Sequence, residues 1–235
     1  RRPTRNVIAE TQGGNPRHVV MAGAHLDSVI DGPGINDNGS GTAGILETAL
    51  EMADLGVEPT NKVRFAFWAA EEVGLVGSTH YVESLSRQQL RRIDLYLNFD
   101  MIGSPNYVRF VYDGNGSAFG IPGPAGSGAI ERIFTKYFER KGLATDETEF
   151  NGRSDYQAFI TEGIPAGGLF TGAEGIKTRE QEEIYGGEAG EPYDACYHQL
   201  CDDLSNVNRT VLHQMADAIA HAVYTFAHST STVAP

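Results

Sequence analysis

Val19-Val20-Met21-Ala22-Gly23-Ala24-His25-Leu26-Asp27-Ser28, followed by Gly34-Ile35-Asn36-Asp37-Asn38-Gly39-Ser40-Gly41, is the stretch that decides the fold. The apolar run predicts a strand whose end delivers His25 and Asp27 to the same side. A Gly/Asp/Asn loop then presents Asp37 just before a helix. In that helix Leu46, Ala49, Leu50 and Ala53 recur at helical spacing, and Gly56 is placed to end it. Imidazole plus carboxylates at a strand end, with glycines permitting tight turns, suits a divalent metal site. Taken alone, a His-x-Asp pair is more often a hydrogen-bonded polar pair, so the rest of the chain must supply further ligands.

Working outward, Asn6 to Glu10 and His18 to Ala24 read as strands around the turn at Gln12-Gly13-Gly14-Asn15-Pro16. Lys62 to Ala70 is a nearly continuous apolar strand, the pattern of one covered on both faces, and it ends at Glu71-Glu72. A helix over Val76 to Leu85 precedes the strand Asp94 to Phe99, which ends at Asp100. Further strands are expected at Val108–Tyr112, Thr145–Phe150 and Ile164–Phe170. Helices are expected around Ile130–Phe138, Asp155–Thr161 and Leu212–Phe226. Residues 171–195 read as a long acidic loop, a length that inside a compact domain is usually functional or mobile. Strands alternating with helices predict an α/β fold, a mixed, mainly parallel sheet with helices on both faces. Ligands in such folds bind beyond the carboxyl ends of the strands. His25, Asp27, Glu71, Glu72 and Asp100 all fall at that edge.

The 235 residues suffice for one large domain, read as a single unit over 1–235. A net charge of −13 argues against nucleic acid or an anionic membrane surface as partner. Most of that acidity serves solubility, with a minority expected at a cation site. No run of 18 apolar residues predicts a membrane span. The basic opening Arg1-Arg2-Pro3-Thr4-Arg5 lacks the apolar segment of a signal peptide. Cys196 and Cys201 read as a small disulfide loop in an oxidising compartment, with free buried thiols as the alternative.

Each candidate has a plain reading: Asp37 as a turn or capping residue, Glu71-Glu72 as solvated carboxylates, Asp100 paired with an arginine, His198 as a surface histidine. Their coincidence at one sheet edge points instead to a shared metal centre. One zinc needs three protein ligands and a water. Two histidines and at least four carboxylates could hold two ions about 3.5–4 Å apart if one carboxylate bridges them. The chain turns at the strand end, so one of Glu71 and Glu72 can bind metal while the other serves as general base.

The motifs Gly23-Ala24-His25-Leu26-Asp27-Ser28, Gly34 to Gly41, Ala69-Ala70-Glu71-Glu72-Val73-Gly74-Leu75, Asn98-Phe99-Asp100-Met101-Ile102-Gly103-Ser104 and Cys196-Tyr197-His198 together resemble the co-catalytic di-zinc aminopeptidases (peptidase family M twenty-eight), above all the secreted Streptomyces-type leucyl enzymes. The resemblance runs from about Asn6 to Ser229. It implies a zinc-peptidase fold with His25, Asp37 and Asp100 on one zinc, and Asp37, Glu72 and His198 on the other. Glu71 would be the general base, Asp27 would accept a hydrogen bond from His25 and fix its tautomer, and Tyr197 would donate to the oxyanion. Arg153 would bind substrate, while Phe170 and Tyr156 would line the pocket for the first side chain. A cis peptide is implied between Asp37 and Asn38. Family members carry helical sequence before the first strand, so a trimmed catalytic domain is expected. Some relatives bind calcium, but the matching positions here, His213 and Asp217, argue against it. The implied activity is release of large apolar N-terminal residues from peptides with a free amine, by a secreted monomer. A loop bearing Glu174, Glu180, Glu182, Glu183, Glu188 and Glu191 could instead favour basic residues near the mouth. The alternatives are a single-zinc glutaminyl cyclase of the same fold and a non-catalytic binding module.

Overall fold

A computed structural model describes residues 3–233, so Arg1 and Arg2 of the basic opening lie outside the described residues. Seven strands form one sheet: β1 (Val7–Glu10), β2 (Asn15–His25), β3 (Asn61–Trp68), β4 (Ile93–Phe99), β5 (Phe110–Tyr112), β6 (Asp146–Thr148) and β7 (Ala166–Phe170). Their order across the sheet is β1-β3-β2-β4-β7-β5-β6. The central strands β3, β2, β4 and β7 are parallel, whereas β1 joins β3 and β5 joins β7 in antiparallel register. The expected α/β class, mixed and mainly parallel, is the observed one.

Side-chain alternation along β2 explains why the sheet is covered twice. Val20, Ala22 and Ala24 enter one core with Ile45 of α1 (Gly41–Asp54), Phe134 of α4 (Ser127–Arg140) and Met215 of α7 (Arg209–His228). Val19 and Met21 enter the other core, with Val82 of α2 (Val76–Ser84) and Phe159 of α5 (Tyr156–Thr161). Fully burying one such large apolar side chain stabilises by roughly 1.5–3 kcal/mol. Among the described residues no helix is long and apolar enough to cross a membrane.

Because β3 lies on one side of β2 and β4 on the other, the chain reverses direction across the sheet at β2. A crevice opens at its carboxyl end, where His25 emerges. Gly41 starts α1 there with its Cα so near the Phe99 carbonyl and the Asn38 side chain that any Cβ would collide with both.

The stretch 171–195 differs from the expected uniform loop. It contains α6 (Arg179–Tyr185), started by a reciprocal cap between Thr178 and Gln181. Lys177, 2% exposed, pins this excursion by donating to Asn106 Oδ1, the Tyr107 carbonyl and the Gly186 carbonyl. A second short helix, α3 (Arg87–Leu90), carries the same kind of cap between Ser86 and Gln89. Both caps are present in the sequence as S/T-x-x-Q. Neither helix is long enough to show an apolar period.

Candidate metal centre

Four loops meet over the end of β2. The turn Ile35–Ser40 carries Asp37, and the Asp37–Asn38 peptide is cis, as the resemblance implied. Asn38 stitches this turn to the end of β4, donating to the Phe99 carbonyl (2.9 Å) and accepting from the Gly41 and Met101 amides (3.0 and 3.1 Å). Ala70, with φ 59°, turns the chain after β3 so that Glu71 and Glu72 face inward. The loop following Asp194 brings His198, also left-handed at φ 58°.

All the expected ligands converge. His25 Nε2 is 3.2 Å from Asp37 Oδ1 and 3.3 Å from Asp100 Oδ1. His198 Nε2 is 3.2 Å from Asp37 Oδ2 and 3.0 Å from Glu72 Oε2. Asp37 thus faces one imidazole with each carboxylate oxygen. His25, Glu71 and Asp100 also offer ligand atoms within 4.8 Å of one another, as do His25, Asp37 and Glu72. The residues fit a cation centre on a further observation. His198 Nε2 and Glu72 Oε1 are buried without a hydrogen-bond partner, although Asp37 and Glu72 oxygens lie close to the imidazole. Buried polar atoms left unpaired in this way are costly.

Electrostatics agree. Burial first, and then the Asp100 charge, push Glu71 up to about 9, and burial with the Asp37 charge lifts Glu72 to about 7. Burial also raises Asp37, but the close approach of the His198 and His25 imidazoles outweighs it and leaves Asp37 at about 2. A positive ion beside these groups would favour their charged forms.

Asp27 departs from its expected role. His25 Nδ1 bonds the backbone carbonyl of Asp27 at 2.9 Å, while the carboxylate lies 3.7 Å away. The carboxylate instead accepts the Glu71 and Glu72 amides (3.0 and 3.3 Å) and so anchors the strand-end turn. Tyr197 lies against His198, ring centroids 3.8 Å apart, and its hydroxyl accepts from Arg153 Nη2 at 3.3 Å. Arg153 also pairs with Glu174 at 2.6 Å. Cys196 and Cys201 are disulfide-bonded and bracket Tyr197 and His198.

Beside the centre lies a cavity of about 260 Å³ walled by Met101, Phe110, Tyr112, Phe170 and Tyr193. Of the two aromatic residues expected at a substrate pocket, Phe170 lines this cavity and Tyr156 does not. Tyr156 is fully buried, packed edge-on against Tyr112 and Phe150, with its hydroxyl donating to Asn151 Oδ1. Its place on the inward face of α5 puts it behind the wall. Of the six acidic loop residues, only Glu174 lines the cavity.

Several participants were not singled out from sequence. Ser154 donates to Asp100 Oδ2 at 2.6 Å and accepts from Asn98. Asp155 is 1% exposed, has an unpartnered Oδ1, and is raised to about 7 by burial. The motif Gly152-Arg153-Ser154-Asp155 held a signal for both, since two polar residues directly before a buried helix call for partners.

A crevice at the sheet reversal, lined by two imidazoles and four carboxylates with Asp37 between the imidazoles, has the donor set of a metal-binding site on an α/β sheet. The sequence signature of Peptidase family M28 matches residues 6–223, and the chain belongs to that family. It is 56% identical over 230 residues to an "Aminopeptidase" of Pseudomonas aeruginosa (98% of this chain, 42% of that protein). It is 54% identical over 228 residues to "Leucine aminopeptidase 2" of Trichophyton equinum (97% and 46%). The chain therefore spans less than half the length of these curated relatives. Its fold matches a zinc aminopeptidase from Bacillus subtilis with a TM-score of 0.76 and 28% identity, covering 97% of this chain and 52% of that one.

Proposed function

We propose that the chain is the catalytic domain of a zinc aminopeptidase that releases N-terminal residues, large apolar ones by preference, from peptides with a free amine. The observation that carries this reading is Asp37 set between His25 and His198, with Glu72 Oε1 and His198 Nε2 buried and unpaired. The names of the relatives support it, and the disulfide fits an extracytoplasmic setting.

His25, Asp37 and Asp100 would hold one zinc, and Asp37, Glu72 and His198 the other. When bound, zinc supplies Lewis acidity and makes a water nucleophilic at neutral pH. Glu71 takes a proton from the attacking water and passes it to the departing amine nitrogen as the peptide C–N bond breaks. Its elevated pKa in the bare chain means that its basic form depends on neighbouring positive charge. Tyr197 is kept neutral by burial, which raises its pKa, and its hydroxyl already accepts from Arg153. Its own proton is therefore free to meet the oxyanion that develops on the carbonyl. The aromatic wall of the cavity receives the first side chain.

Zinc analysis combined with a substrate panel tests the reading. About two zinc per chain, with hydrolysis of leucyl anilide and none of the N-acetylated form, is the expected result. Activity on blocked peptides, or a chain that binds no zinc, would overturn it. Lysyl and arginyl anilides in the same panel measure what Glu174 and the acidic loop add.

A further inference from the structure

Asp202 follows Cys201 directly, stands four residues after His198, and is 1% exposed. It receives three consecutive backbone amides of the turn that carries Asp37. Ile35 N donates to its carbonyl (3.0 Å), Asn36 N to Oδ1 (2.8 Å) and Asp37 N to Oδ2 (3.0 Å). These donors sit at the start of a turn, where no preceding helical turn or strand can accept them. On the other side of the disulfide loop, Asp194, also 1% exposed, accepts from Asn36 Nδ2 (2.7 Å) and from the Cys196 amide (2.8 Å). Asn206 joins the two, its Nδ2 lying 3.0 Å from Asp194 Oδ1 and 3.3 Å from Asp202 Oδ1. The segment bearing His198 is therefore fastened at both ends to Asn36 and Asp37.

The strand side of the centre has different supports. Thr42 Oγ1 donates to the His25 carbonyl (2.7 Å), His25 Nδ1 bonds the Asp27 carbonyl, and Ser154 holds Asp100. None of these runs through Asp202. The chemistry of the clamp also requires a carboxylate. Both side-chain oxygens face N–H groups, so an asparagine would set its own NH2 against a donor and leave one buried amide unpaired.

We infer that Asp202 is a positioning residue that sets Asp37 against His198, and that the ion held by Asp37, Glu72 and His198 depends on it more than the ion held by His25, Asp37 and Asp100. This rests on the two-zinc reading above. The test is stepwise zinc binding to the metal-free protein, read by competition with a chromophoric chelator. His198→Ala identifies the loop-side step by removing it. Asp202→Asn should weaken that step about 10–100-fold, the usual effect of losing a group that orients a ligand, and weaken the other step, which shares Asp37 but keeps His25 and Asp100 on their own supports, by clearly less. Asn206→Ala keeps every amide bond to Asp202 and should weaken the same step by less. Equal loss in both steps, or in neither, overturns the inference. If Asp202→Asn does not fold, Asn206→Ala decides, and an unchanged loop-side step in that variant overturns it. A wild-type chain that binds fewer than two ions sinks the two-zinc reading itself, and the inference with it.

Discussion

His25 and His198 reach the same aspartate from opposite kinds of structure. His25 is the last residue of a central strand and is 1% exposed, backed by two core layers. His198 is 36% exposed, sits in a loop with left-handed backbone, and is held by a disulfide and a pair of buried carboxylates. Strand packing positions the first and a local polar clamp positions the second. The lesson is that a site at a sheet edge can be half scaffold and half fastening, with the shared Asp37 as the joint.

The strongest test of that division is Glu71→Gln. Loss of the proposed general base should lower kcat on leucyl anilide by about 10²–10⁴-fold with zinc content unchanged. Since Glu71 also groups with His25 and Asp100, loss of one zinc in this variant would make it a strand-side ligand instead of the base. On the loop side, Tyr197→Phe should reduce kcat by roughly 10²–10³-fold, with KM and zinc content near wild type. A change in KM alone would move Tyr197 from the oxyanion to substrate binding. Asp27→Asn loosens the turn after β3, where it anchors the Glu71 and Glu72 amides, and should cost about 10–100-fold in kcat. Unchanged rates would show that the turn after β3 holds without it.

The smallest expected effect is on stability. In the metal-free chain Glu71, Glu72 and Asp155 are raised to about 9, 7 and 7, chiefly by burial. His25 is raised too, because the Asp100 and Asp37 carboxylates together outweigh its burial, and His198 is raised first by the close approach of the Asp37 carboxylate. All five groups bind protons more tightly folded than unfolded. Unfolding therefore releases protons, and stability falls as pH rises from about 5 to 9. Asp37 has the opposite sign but titrates below this window. The melting temperature of the metal-free protein should drop across that range, and added zinc should flatten the profile. A metal-free profile that rises with pH would contradict this balance of charges.

The strands and helices that place the site were legible because their apolar patterns are local. Val19–Ala24 and Lys62–Ala69 declare buried strands, and the residues that terminate them declare the carboxyl edge. The residues that converge at the crevice were legible as well, since each follows a strand or sits in a compact motif. The short helices α3 and α6 lacked enough turns to show a period, and only their caps announced them. Tyr156 was misplaced because an aromatic residue near a motif reads alike whether it faces a cavity or the core behind it.

By itself the sequence determined the α/β class, the edge of the sheet where chemistry gathers and the residues able to hold cations, because these follow from period, spacing and side-chain type. Only the tertiary structure decided what holds those residues in place. Asp27 serves the Glu71 and Glu72 amides, Ser154 serves Asp100, and Asp202 serves the turn of Asp37 from a point 165 residues away in the chain. Such partnerships carry no local pattern, because any buried carboxylate or hydroxyl can satisfy any donor or acceptor that folding brings to it.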